Sequence, residues 1–393
     1  MNAQEYQAPA GVNRVQSLGW TVGGVALVLA IVGAFVKPNE FYQAYLFSYM
    51  LVLGLTLGSL GLLMLQHLTG GRWGIVIRRP LEAASRNVWL AALMFVPVIF
   101  GMKSLYSAWL DPEKVKAAPL SDYQQHYLTH SGFLIRAAVY FAIWFVLMWL
   151  FNAWSKQQDV EREDRALRRR IKMWAGPGII LYALAMTFAA IDWVMSLSPH
   201  WASTIYGFIF IAGQAISAMA LMIIVVVALS KSTSFGAVYK HRMHDLGKWL
   251  FAFNMLWAYF DFSQLLIIWS GNQPEEISFY RTRLYGGWGV VAVIVLIFSF
   301  ALPFLILLSS HVKKTPGLIS KVAAWMLVFR LVDLYWMTRP EFTSHPLPSW
   351  LDIVVPVALI GVWLGFFAMN LKQRPLLPLG DPKLAEAIAQ HEH

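Results

Sequence analysis

Ten apolar stretches, each about as long as a bilayer is thick, constrain this chain more than any single motif. A helix rises about 1.5 Å per residue, so a span needs roughly 20 mostly apolar residues. The stretches are Leu18–Val36, Ala44–Gln66, Val88–Leu105, Gly132–Phe151, Trp174–Met195, Trp201–Leu229, Lys248–Trp269, Gly287–Leu308, Leu318–Met337 and Trp350–Met369. Composition agrees: 58% of the 393 residues are hydrophobic and only 13% are Asp, Glu, Lys or Arg, against about 25% in soluble domains. A soluble two-domain enzyme is therefore excluded, and the 18 Trp, 15 Tyr and 25 Phe suit aromatic belts at membrane interfaces. The first stretch reads as a span rather than a cleavable signal: it is too long for an h-region, only Arg14 closely precedes it, and no A-x-A site follows before Lys37.

Basic residues in short loops set orientation. Twenty-two Lys and Arg lie on the side of the two termini, including Arg14, Arg78, Arg79, the run Arg162–Lys172, Lys240 and Lys383. Six lie on the other side: Lys37, Lys114, Lys116, Arg281, Arg283 and Arg339. The expectation is a multi-pass protein of a bacterial inner membrane with both termini cytoplasmic. The net charge of +10 is then explained by lipid contact, with no nucleic acid partner; Arg162–Lys172 reads as a cytoplasmic helix end or loop at an anionic leaflet.

No interdomain linker is visible. The expected organisation is a cytoplasmic N-terminal segment (1–17), a ten-helix membrane domain (18–370) and a cytoplasmic tail (371–393) that reads as a surface segment, with Pro375, Pro378 and Pro382. There is no cysteine, which excludes disulfides, thiolate zinc sites, iron–sulfur ligation and a cysteine nucleophile within this chain.

Six ionisable residues fall inside the expected spans: Lys103, Arg136, Asp192, Asp261, Arg330 and Asp333. A charge at a helix centre costs about 2.5–3.5 kcal/mol on insertion scales, so each is a functional candidate. Counting from the inner helix ends puts Asp261 at roughly 20 Å, Arg330 at about 18 Å and Lys103 at about 22 Å, in the outer half of the membrane. Asn254, Asp261 and Gln264 share one helix face, Ser203, Tyr206, Gln214 and Ser217 form a polar stripe, and Arg330 and Asp333 can pair at i, i+3. Two readings stand: three bases and three acids neutralising one another structurally, or a proton or substrate route entered from the outer side.

Haem is not expected on this chain. His67, His126, His130, His200, His241, His244, His311, His345, His391 and His393 lie at helix ends, in loops or in the tail, not mid-span. No metal site is expected either. An internal repeat is suggested by Phe188 and Phe329, each four residues before an acid, Asp192 and Asp333. It pairs helix 5 with helix 9 and divides the sequence into two parallel-repeat four-helix bundles, helices 2–5 and 6–9, flanked by helices 1 and 10.

The segment Asp192-Trp-Val-Met-Ser-Leu-Ser-Pro-His-Trp201, followed by Ser203-Thr-Ile-Tyr-Gly and Gln214, resembles the helix 5–6 connection of NrfD-like membrane subunits, the type found in polysulfide reductase. It is most similar to the smaller NrfD-like subunit of alternative complex III, a bacterial quinol:cytochrome c oxidoreductase. His67-Leu-Thr-Gly-Gly-Arg-Trp-Gly, Arg79-Pro-Leu-Glu, Phe95-Val-Pro-Val and Arg136 before Tyr140-Phe141 agree. The resemblance covers roughly residues 18–370. It implies an all-α integral membrane fold of ten helices and a place in a respiratory complex. The implied partners are an NrfD-like paralogue and periplasmic iron–sulfur and cytochrome c subunits, which would carry the iron–sulfur clusters and haem. Larger, quinol-handling relatives place a His near the outer end of helix 3 and an acid near the start of helix 4. Here those stretches read Phe100-Gly-Met-Lys103 and Leu134-Ile-Arg136, and only Asp192 carries over. Permanently charged bases do not suit a group that must accept two protons from a quinol.

The leading expectation is thus a subunit that anchors an electron-transfer module and conducts protons through Asp192, Asp261, Arg330 and Asp333, with Asn254, Gln264, Tyr206 and Gln214 along the route. One alternative is a quinone held by Lys103, Arg136, Asp192, His200 and Trp201. A free-standing secondary transporter ranks last, because Pro97 and Pro303 do not occupy matching repeat positions.

Overall fold

The computed structural model describes residues 6–161, 164–231, 239, 242–381 and 384. Arg162, Lys240, His241, Pro382, Lys383, His391 and His393, with parts of the 1–17 and 371–393 segments, lie outside the described residues. Among the described residues the protein is all helical. The long helices are α1 (Ala10–Val36), α2 (Pro38–Thr69), α3 (Val88–Phe100), α4 (His130–Val160), α5 (Arg165–Trp193), α6 (Tyr206–Leu229), α7 (Met243–Gly271), α8 (Trp288–Leu308), α9 (Pro316–Thr338) and α10 (Leu351–Leu371). Nine of these, α3 together with the short helix Arg78–Ser85 that precedes it, are long and apolar enough to cross a membrane. The exception is α9: every window of 18 residues within it contains Lys321, Arg330 and Asp333.

Local chemistry explains the helix ends. Pro38 and Pro316 occupy first turns, where no amide partner is needed. Thr129 caps α4 by accepting from the Gly132 amide at 3.1 Å, and Asp164 caps α5 by accepting from the Ala166 amide at 2.7 Å. α7 stops at Asn272, whose φ of 48° is left-handed.

Several expected boundaries shift. Helix 3 does not run to Leu105: it ends at Phe100, and Gly101 lies against the Tyr42 ring, where a Cβ would overlap it. Lys103 therefore sits in a separate short helix, exposed, rather than inside a span. Helix 6 starts at Tyr206, not Trp201: residues 201–203 are irregular and 204–205 form a turn. Arg165–Lys172 is the start of α5. The loops Tyr106–Ser131 and Ser270–Gly286 contain short helices, including Pro274–Leu284. The segment after Gln373 is not simply a surface segment: Leu376 and Leu377 are buried, and the Leu376 amide donates to the Tyr6 carbonyl at 2.8 Å.

The helices alternate in direction. Glu40 reaches Ser349 and Gln43 reaches Arg339 at the Pro38 end, while Arg86 donates to the Asn370 carbonyl at the opposite, Gly70 end. α2 and α6 cross at the centre, where a Cβ on Gly58 would overlap the Gln214 backbone. α2 also packs on α3, α5 and α10, and α6 on α5, α7 and α9. Burial follows: 94% of the most apolar window of α2 is enclosed, against 17% for α8. α1 lies along α10 through small residues, a Cβ on Gly23 meeting the Val362 amide nitrogen at 2.6 Å. Close helix approach over glycine is the usual device where lipid removes the hydrophobic drive between helices.

Candidate functional site

The first charged constellation joins α4 and α5 near the Pro38 end. Asp192 is fully buried. Its Oδ2 accepts from Arg136 Nε at 2.8 Å and from the Tyr140 hydroxyl at 2.7 Å, and its Oδ1 accepts from Arg136 Nη2 at 3.1 Å. Arg136 Nη1 donates to the Tyr127 carbonyl at 2.9 Å, and the guanidinium lies 3.8 Å over the Tyr127 ring. Burial pushes the Tyr127 phenol up to about 12, so it remains neutral. The aromatic wall beside the pair is Trp193, Phe95 and Phe141, with Phe95 and Trp193 centroids 4.5 Å apart. A forked guanidinium and a phenol thus engage both oxygens of this carboxylate.

The second constellation lies on α9. Arg330 and Asp333, both buried, pair one turn apart. Gly213 of α6 makes the room: a Cβ there would overlap the guanidinium. The next residue, Gln214, accepts from the Tyr182 hydroxyl at 2.7 Å and donates to Met186 Sδ at 3.0 Å. Tyr206 is buried with its hydroxyl unpartnered among the described residues.

Asp261 is different. It is half-buried on α7 and, among the described residues, takes part in no hydrogen bond or ion pair; the charges acting on it are those of Asp333 and Arg330. It opens on a cavity of about 400 Å³ whose other walls are apolar, among them Trp257, Phe262, Leu296, Phe300 and Trp336. One turn further, Gln264 accepts from the Ser203 hydroxyl at 2.8 Å and donates to the Tyr280 hydroxyl at 3.1 Å. Two turns back, Asn254 donates to the Phe300 carbonyl at 3.5 Å and leaves its Oδ1 buried and unpartnered. The α7 face thus carries two engaged amides and one unpaired acid.

His200 and Trp201 line a cavity of about 550 Å³ at the Pro38 end. Trp201 stacks on Phe279 at 3.8 Å, and Arg283 lies 3.5 Å over the same ring while bonding Glu341 at 2.7 Å. Lys103 belongs to none of these groups and does not join Arg136 and Asp192.

Reading residues one span at a time missed the buried charges outside the apolar runs. Arg283 is 1% exposed and Arg339 is 2% exposed, although both fall in short connections. A signal for Arg283 existed: Pro274, Glu275 and Glu276 followed by Arg281 and Arg283 are helix start and stop residues, which place Arg283 one turn from Phe279. At the Gly70 end, Arg78, Arg79 and Glu82 are also buried, Glu82 bonding Arg79 at 2.7 Å and Arg78 at 3.2 Å. Among the described residues no three His, Cys, Asp or Glu side chains come together as metal ligands would.

No protein-family model and no curated protein matches this sequence.

Proposed function

We propose that this protein is a ten-span membrane subunit of a bacterial respiratory quinol:acceptor oxidoreductase of the alternative complex III type. Both termini would face the cytoplasm, and haem and iron–sulfur clusters would reside in partner subunits. The subunit anchors that electron-transfer module and carries protons along a polar route through the bundle. The motif Asp192–Trp201 supports the family, and the pattern of packing supports the repeat: α2 packs on α3 and α5 as α6 packs on α7 and α9. In this reading Asp192 on α5 and Asp333 on α9 sit on the corresponding helices of the two halves.

The observation that carries the proton route is the unpaired Asp261 between Gln264 and Asn254, within the field of the Arg330–Asp333 pair. Intramembrane acids are retained where they pair or move protons, and this one has no pairing role. Ser203, Gln264 and Tyr280 form a hydrogen-bonded approach to it from the Pro38 end. Purifying the tagged protein from its native membrane tests the assignment. Stoichiometric haem and iron–sulfur signals with quinol:acceptor activity are expected; a protein that purifies alone and without redox partners contradicts it.

A second reading is favoured by the 550 Å³ cavity beside His200 and Trp201. An aromatic shelf with polar groups at its edge suits a quinone ring. Competition by a quinone-site inhibitor, lost in Trp201→Ala, separates this reading from the first.

A further inference from the structure

The Gly70 end contains a cavity that the proton route does not use. It measures about 230 Å³ and lies between the end of α2 and the start of α5. Gln66 and His67 of α2 form one wall, Arg168 and Lys172 of α5 the other, and Arg78 and Asp381 close the base. Every guanidinium arm of Arg78 is engaged: it bonds Glu82, Ser155 and Gln158, and its Nη1 holds Asp381 Oδ2 at 3.0 Å. Asp381 comes from the far end of the sequence, so a carboxylate has been drawn into this pocket from 303 positions away.

The walls hold unspent polar capacity. His67 Nε2 and Gln66 Oε1 are buried with no hydrogen-bond partner among the described residues, and Gln66 is only 4% exposed. Buried polar atoms without partners are costly. The His67 ring stacks on Phe151 at 5.8 Å, which fixes its plane. Lys172 is exposed and makes no hydrogen bond or ion pair among the described residues. Among the described residues lining the cavity, Asp381 is the one acid, against Arg78, Arg168 and Lys172, so this described lining carries net positive charge. That balance repels metal cations and attracts oxyanions. The exposed apolar side chains of Leu68, Met173 and Trp174 stand on the same two helix ends, a surface suited to acyl chains.

We infer that the pocket between the end of α2 and the start of α5 binds a phosphate ester, with His67 Nε2 donating to a phosphate oxygen and Lys172 and Arg168 balancing its charge. Basic pockets between spanning helices hold anionic lipid headgroups in this manner. A free phosphate would present the same oxygens without the acyl chains.

The full-length protein, in the assembly with which it purifies, is exchanged into detergent containing phosphatidylglycerol or phosphatidylcholine and examined by native mass spectrometry. Thermal stability is followed in parallel with inorganic phosphate. Lys172→Gln and Arg168→Gln are compared with Lys321→Gln, another exposed base. One retained phosphatidylglycerol, reduced about fivefold by either pocket variant and unchanged by Lys321→Gln, is the expected result and identifies a lipid. A melting shift with inorganic phosphate that the pocket variants abolish, without lipid retention, shows that the same site takes a free phosphate group rather than a lipid headgroup. Equal behaviour of wild type and both pocket variants toward both probes overturns the inference, as does an equal loss in Lys321→Gln.

Discussion

Arg136 grips Asp192 through two guanidinium nitrogens, Nε at 2.8 Å and Nη2 at 3.1 Å, across 56 positions of sequence. Asp192 is fully enclosed, whereas the Arg136 side chain keeps 22% of its surface. The cost of breaking such a pair falls mainly on the stranded buried member. Arg136→Gln is therefore expected to lower stability by about 3 kcal/mol. Asp192→Asn is expected to cost less, because the stranded guanidinium retains access to water and to the Tyr127 carbonyl. Thermal or denaturant unfolding of the two single variants and the double variant checks this: strong non-additivity is expected, and simple additivity would mean that the pair does not couple α4 to α5.

Gly213 makes room for Arg330. Gly213→Ala would push a methyl group into the guanidinium, and overpacking of this kind costs about 1–3 kcal/mol. Gly24→Ala, where a Cβ meets nothing within 4 Å, is the matched control and should be neutral or slightly stabilising. Equal melting temperatures for the two variants would show that α6 and α9 do not depend on that contact.

The absence of cysteine makes topology directly measurable. Ala118 and Arg169 are both exposed, so single cysteines there remain reachable. Labelling of intact cells with an impermeant thiol reagent should modify Ala118→Cys and spare Arg169→Cys, in line with the basic bias. The reverse pattern would invert the orientation.

The apolar runs were legible because a membrane demands length and hydropathy, and the Arg330–Asp333 pair was legible because i, i+3 is fixed by helix geometry. Arg136–Asp192 was not, since partners on different helices depend on packing that no local spacing encodes. Lys103 was misplaced by extending an apolar run through Gly101, where the helix ends. Buried Arg78, Arg79, Arg283 and Arg339 were counted as loop bases, because a basic residue in a short connection looks the same whether it faces lipid headgroups or a carboxylate such as Glu82 or Glu341. Leu376 and Leu377 show the converse, an apolar pair in a Pro-rich segment that packs back on the bundle.

Asp261 offers the most direct test. It has no ion pair to lose, so Asp261→Asn should leave assembly, melting temperature and electron transfer close to wild type. Proton translocation per electron, measured in reconstituted vesicles with an enclosed pH dye, should fall. Normal proton stoichiometry in a stable, electron-transferring Asp261→Asn complex would contradict a proton route through this carboxylate.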